Sequence, residues 1–287
     1  MENPTKVGFL LSFIILKSII IILFFLLLGC VSVEKRTNNA LNIAAQNNFK
    51  SFIYQTKNFQ IFSFYRNFNK ENKYVSIYIE GDGRSWIDRD TISSDPTPTE
   101  PTALLLAKSN LSEDVIYLAR PCQYVTDRRC NDQVWTSQQF SNTVLMSYMD
   151  VLDVIKSKYD GIKFNLVGYS GGATIALMLA ANRSDVNSIR TIAGNLNHNQ
   201  LSVLTKTTPL YQSISSNDFI FKTKNVPQIH YYGSKDEVIP NQIYLNYLNS
   251  FDKNSCVKII EVAGFKHASK DWEHFWGKNQ SLIPTCN

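Results

Sequence analysis

Residues 164–180 read FNLVGYSGGATIALMLA, a largely apolar run that breaks at Ser170 among glycines. Phe164, Leu166 and Val167 have the character of a buried strand. From Gly172 onward Ile175, Ala176, Leu179 and Ala180 recur at helical spacing. A strand, a sharp turn holding a serine, and a helix is the context in which G-x-S-x-G exposes a nucleophile at the end of a sheet. The same letters also suit a plain glycine turn with serine as a small filler, so the rest of the chain decides.

Working outward, strands are expected near 59–65, 74–80, 114–119, 162–167, 188–193, 227–232 and 256–262. Helices are expected near 101–109, 136–158, 171–182, 240–250 and 270–276. Alternation of this kind implies one α/β domain over residues 51–287, a mostly parallel central sheet with helices on both faces. The 287 residues suffice for one large core, and no internal repeat or second domain is visible. The net charge of +5 is spread along the chain rather than gathered into a stripe, so nucleic acid is not an expected partner.

The amino end differs. Lys6 and Lys17 accompany the stretch SIIIILFFLLLGC, residues 18–30. A basic start, an apolar core and a small residue before the cut describe a secretory signal over residues 1–29. The ending LLGC resembles a bacterial lipobox, which implies lipidation of Cys30 and a place in the cell envelope, facing the periplasm or the outside. An uncleaved anchor is the competing reading, against which Lys17 in the middle of the run and Gly29-Cys30 at its end both speak. Residues 30–50 are polar and read as a flexible tether. Once Cys30 is set apart, Cys122, Cys130, Cys256 and Cys286 remain, an even number suited to an oxidising compartment. Three pairings are possible, of which Cys122 with Cys130 and Cys256 with Cys286 is the local one. Zinc is disfavoured, because no CxxC pair exists and the histidines are scattered.

A serine hydroxyl needs a base, and the base needs an orienting acid. Two later strand ends supply them: QIHYYGSKDEVIP (228–240) carries Asp236 and CVKIIEVAGFKHAS (256–269) carries His267. Carboxyl ends of parallel strands share one edge of the sheet, so Ser170, Asp236 and His267 can converge there. Asp236 has a rival role as a helix cap. The preceding strand offers only amides, Asn195 and Asn197, as an alternative acid site. Among the other histidines, His230 lies within a strand, His274 lies on a helix, and His198 is placed to line a pocket.

The serine turn, GSKDEVIP and AGFKHAS, in that order, together resemble the α/β-hydrolase superfamily. Within it the chain is similar to bacterial hydrolases bearing EGDG, ARPCQY and AGNL. The resemblance implies an α/β-hydrolase fold and a serine hydrolase, carboxylesterase-like, acting on a small acyl or ester substrate through an acyl-enzyme. It implies no metal or organic cofactor. A thioesterase or acyltransferase with the same triad is the alternative enzyme, and an envelope-binding lipoprotein on the same scaffold is the non-catalytic one. The oxyanion donors would be the amides of Gly171 and of Asp82, the latter in EGDGRSW (80–86). There Glu80 stands where the family usually has histidine, and Asp82 must turn its carboxylate away, toward Arg84. Arg120 and Gln123, after another strand end, are candidates for substrate binding, with pairing to a carboxylate as Arg120's other reading. Trp86 and Trp135 read as packing residues. Residues 196–225 exceed an ordinary connection and are expected to form a small cap, which would favour short acyl chains.

Overall fold

A computed structural model describes residues 32–66, 72–111, 114–159, 161–251 and 256–286. The signal at 1–29 and Cys30 lie outside the described residues. The chain runs α1 (Val33–Gln46), β1 (Lys50–Gln55), β2 (Gln60–Arg66), β3 (Tyr74–Ile79), α2 (Thr102–Lys108), β4 (Asp114–Leu118), α3 (Asp132–Trp135) and α4 (Asn142–Lys156). It continues through β5 (Lys163–Tyr169), α5 (Gly171–Asn182), β6 (Val186–Ile192), α6 (His198–Thr205), β7 (Gln228–Gly233), α7 (Asn241–Asn249), β8 (Val257–Val262) and α8 (Asp271–Asn279).

The eight strands form one sheet in the order β1-β2-β4-β3-β5-β6-β7-β8. β1 and β2 join antiparallel, as do β2 and β4; every later neighbour is parallel. Side chains of a strand alternate between faces, and here each face has its own core. Leu166 and Phe164 of β5 pack with α4, α5 and α7, whereas Val167 and Tyr169 of the same strand pack with α1, α2 and α8. Burial on both sides explains why the parallel strands read as near-continuous apolar runs. This is the α/β-hydrolase arrangement that the motifs imply.

Three expectations change. Residues 30–50 are not a flexible tether where they are described, because Val33–Gln46 is a helix. Ser32 caps it by accepting from the Lys35 amide at 3.2 Å, and Arg36, Ala40 and Ala44 form a buried stripe against α2. Two members of the stripe are alanines and the third is charged, so it carries no apolar period in the sequence. Second, β1 adds an eighth strand; it sits at the sheet edge with one buried residue, Tyr54, so no alternation marks it. Third, residues 196–225 form α6 and two short 3₁₀ turns, and none of them lines the cavity beside Ser170.

Two disulfides join Cys122 to Cys130 and Cys256 to Cys286, the local pairing, with Cα atoms 5.7 and 4.4 Å apart. In the chain-entropy view loops of this size, with separations of 8 and 30 residues, stabilise by about 2.5 and 3.7 kcal/mol.

Candidate active site

The elbow is built by backbone constraint. Ser170 sits at φ 51°, ψ −122°, a conformation that costs on the order of 1–3 kcal/mol for a residue with a side chain. It lifts the hydroxyl off the end of β5 before α5 begins. The flanking glycines allow the turn to pack. A Cβ on Gly168 would lie 2.5 Å from the Ala173 backbone, and one on Gly172 would lie 2.2 Å from the Ile79 carbonyl. Neither position has room for alanine. From the neighbouring strand end, the Asn195 amide donates to the Ser170 carbonyl at 3.0 Å and braces the turn.

Three strand ends bring their loops together over this serine. His267 Nε2 lies 3.0 Å from Ser170 Oγ, and its Nδ1 lies 2.9 Å from Asp236 Oδ2. The Asp236 side chain is 1% exposed. Its other oxygen accepts from the Val238 and Ile239 amides, both at 2.9 Å. Those two bonds, to loop amides ahead of α7, orient the carboxylate; α7 itself starts after Pro240 with no side-chain cap, so Asp236 orients the histidine and does not cap the helix. With Nδ1–H donated to Asp236, the imidazole presents an unprotonated Nε2 to the serine. This is the tautomer a general base requires. The Tyr169 hydroxyl and the Trp272 indole both donate to the His267 carbonyl, at 3.2 and 3.1 Å, and hold the loop in place.

A cavity of about 460 Å³ opens at Ser170 and His267. Its wall comes from residues 80–102, together with Tyr169 and Val238. Besides His267 and Tyr169, its lining includes three carboxyl groups and a guanidinium, those of Glu80, Asp82, Glu100 and Arg84.

A profile of the family described as serine hydrolase (FSH1) matches residues 28–268. The chain belongs to that family. No curated protein matches it in sequence. Among solved structures it is similar to an α/β serine hydrolase homologue from Coxiella burnetii, at 16% identity and TM-score 0.56, over 80% of this chain and 96% of that one. Est1E from Butyrivibrio proteoclasticus matches at 11% identity and TM-score 0.56, over 79% and 94%. The protein XC6422 from Xanthomonas campestris, a serine hydrolase without a lid, matches at 10% identity and TM-score 0.54, over 83% and 97%. Identities this low speak for the fold.

The remaining candidates separate. Asp82 turns its carboxylate toward Arg120, not Arg84: Arg120 Nη1 donates to Asp82 Oδ1 at 2.8 Å. The pair lies beside Gly171, where a Cβ would stand 1.9 Å from Asp82 Oδ1. Arg120 is buried over the Phe140 ring and is committed to this carboxylate rather than to the cavity mouth. Gln123, also expected to bind substrate, is fully buried. It accepts from the Arg120 amide at 3.0 Å and donates to the Gly81 carbonyl at 3.1 Å, so it shapes the loop. His198 does not line the cavity either; its Nε2 bonds the Ile214 carbonyl at 2.8 Å and its ring stacks on Phe140. Burial lowers its pKa, as a neutral core imidazole requires. His230 is equally internal, between Thr191 and Gln228, and burial pushes it down to about 3. His274 is exposed on α8.

Glu80 has a role that the motif comparison did not foresee. Its carboxylate accepts from the Gly81 amide at 2.9 Å and the Ala103 amide at 3.2 Å. The helix α2 has Pro101 at its N-cap position and so no side-chain cap of its own, and Glu80 caps it from across the site. The visible signal is a glutamate closing the apolar strand YVSIYI. Burial pushes its carboxyl up to about 7 against those amide donors. The native value lies above the ordinary 4.5, so between the two the folded state keeps a proton that the unfolded chain has released. Stability is therefore full below about pH 4.5 and falls as pH rises toward about 7, by on the order of 2–3 kcal/mol from this group. Urea midpoints at pH 5 and 7.5 should show that decline in the wild type and a flatter profile in Glu80→Gln.

Proposed function

We propose that this serine hydrolase cleaves a carboxylic ester or a related acyl bond. The observation that supports this reading is the unbroken relay from Ser170 Oγ through His267 to Asp236, at 3.0 and 2.9 Å. Ser170 Oγ attacks the carbonyl carbon while His267 Nε2 takes its proton. Asp236 holds the imidazolium through Nδ1–H. The tetrahedral oxyanion lies against the amides of Gly171, at the start of α5, and Asp82. Collapse expels the alcohol, which leaves with the proton from His267. Water, deprotonated by the same nitrogen, then releases the acid and restores the serine. We place the enzyme in a bacterial envelope, exported by the signal at residues 1–29 and held to the membrane by lipid on Cys30.

The substrate's acyl part is expected to be short. Each methylene gains about 0.8 kcal/mol when buried against apolar surface. Here Asp82, Arg84 and Glu100 stand in the wall, so a long chain would desolvate charge instead. A fluorophosphonate probe should label Ser170, and kcat/KM measured from acetyl to palmitoyl p-nitrophenyl esters should peak at the short end. Thioesters in the same panel separate a thioesterase from an esterase. No labelling, or a maximum at palmitoyl, would overturn the corresponding part. Mass spectrometry of the membrane fraction should find Cys30 acylated and residues 1–29 removed.

A further inference from the structure

The first described residue, Ser32, stands two positions after Cys30, and α1 begins at once. One turn into that helix, Arg36 reaches across to the loop that forms the cavity wall. Its guanidinium donates to the carbonyls of Asp95, at 3.3 Å, and Thr97, and it pairs with the Asp95 carboxylate at 3.5 Å. Thr97 is followed directly by Pro98, Thr99 and Glu100, which line the cavity. The loop is itself a small hairpin. The Arg84 amide bonds the Pro96 carbonyl, the Ser93 amide bonds the Ser85 carbonyl, and the Ile87 amide bonds the Thr91 carbonyl, at 2.8–3.0 Å. Trp86 and Ile92 face each other as a bridge.

Three large apolar side chains flank the turn at the end of this hairpin and are uncovered. Trp86 is 46% exposed, Ile87 52% and Ile92 36%. Trp86 also lines the rim of the cavity. The turn between them carries Asp88, Arg89 and Asp90, a net charge of −1, so the tip is not an anion-binding patch.

The chain outside the structure supplies the occupant. From Cys30 to Ser32 the backbone spans at most about 7 Å, and from Ser32 to Arg36 about 6 Å of helix. The headgroup region of one leaflet is roughly 5–8 Å deep. An amino terminus fixed in a bilayer therefore keeps the Arg36-bound loop close to that bilayer. The helix between them cannot pay out slack, since Arg36, Ala40 and Ala44 are buried. Tryptophan and isoleucine at such a boundary suit the interface between headgroups and acyl chains.

We propose that the 84–92 hairpin, through Trp86, Ile87 and Ile92, rests on the same lipid bilayer that holds the amino terminus, so that the cavity at Ser170 opens at headgroup depth. The inference rests on the membrane attachment described under Proposed function. It adds that the site receives esters presented from the lipid surface. Because apolar contact rather than charge holds the hairpin, added salt should leave the contact intact.

The test uses the full chain, made with its native amino terminus, in vesicles of phosphatidylethanolamine and phosphatidylglycerol containing lipid brominated near the headgroup end of its chains. Trp272 and Trp276 are fully buried, which leaves Trp86 and the half-buried Trp135 as reporters. Bromolipid should quench part of the tryptophan emission in the wild type, and that part should vanish in Trp86→Phe. Ile87→Asp should lower turnover of a short-acid ester carried on a vesicle-anchored alcohol by about fivefold or more, with turnover of the soluble p-nitrophenyl ester unchanged. Flotation with the vesicles but identical quenching in wild type and Trp86→Phe would overturn the proposal and leave the attachment standing. Failure to float would overturn both. Quenching of Trp86 without hydrolysis of either ester would support the membrane contact and sink the esterase reading instead.

Discussion

Ser170→Ala is expected to reduce kcat/KM for p-nitrophenyl ester hydrolysis by about 10⁴-fold or more, with stability changed by less than about 1 kcal/mol. Its hydroxyl bonds His267 and is near solvent, so its removal leaves little buried and unpaired. His267→Ala should lose a similar factor, and the double variant should lose hardly more than either alone, because the groups act as a unit. The more informative change is Asp236→Asn. The Val238 and Ile239 amides both donate to Oδ1, so the asparagine must place its carbonyl oxygen there. Its NH₂ then faces His267 Nδ1, which has to accept. The proton is driven to Nε2, where it meets the serine hydroxyl donor to donor. A loss of about 10³–10⁴ in kcat with the fold intact is the expected result. Steady-state kinetics paired with circular-dichroism melts checks all four variants. Wild-type activity in Ser170→Ala would sink the assignment.

The second large effect concerns Arg120, which touches neither the serine nor the cavity's histidine. Arg120→Met should lower kcat by about 10–100-fold and destabilise the protein by a few kcal/mol. The reason is electrostatic. Asp82 lies against Gly171, whose amide is one of the proposed oxyanion donors, and Arg120 balances its charge at 2.8 Å. An unpaired carboxylate about 5 Å from a developing oxyanion, at an effective dielectric of about 20, opposes it by about 3 kcal/mol. Solvent reaching Asp82 reduces that figure, hence the range. Asp82→Asn added to Arg120→Met removes the stranded charge and should recover most of the activity, which simple loss of packing would not permit. A double-mutant cycle read in both kcat and urea midpoint separates the two contributions. Equal loss in the single and double variants would show that Arg120 matters for packing alone.

Local chemistry makes much of this protein legible in its sequence. Gly168, Ser170 and Gly172 announce a strand-turn-helix because only glycine clears the backbone on either side of a strained serine. Apolar runs of strand length separated by helical spacing announce a parallel sheet, since strands covered on both faces must be apolar throughout. Topology then orders Asp236 and His267 at strand ends, 66 and 97 residues beyond Ser170 (236 − 170 and 267 − 170).

What the linear chain left open was the partner of each buried polar group. Asp82 had two arginines within reach in sequence terms, and only the adjacency of β3 and β4 brings Arg120, 38 residues away, to its carboxylate. Arg36 looked like part of a solvated tether until loop carbonyls 59 and 61 residues distant gave it donors' work inside the fold. Gln123 as a substrate-binding candidate and His198 as a pocket-lining one are misplaced in the sequence for the same reason. A polar side chain reads as exposed from sequence unless its hydrogen-bond partners are known, and those partners are set by sheet register and loop packing. Residues 196–225, expected to cover the site, give way to 80–102 because the wall belongs to whichever loop the neighbouring strand ends project over the serine. That projection is a property of the assembled sheet, and no local pattern encodes it.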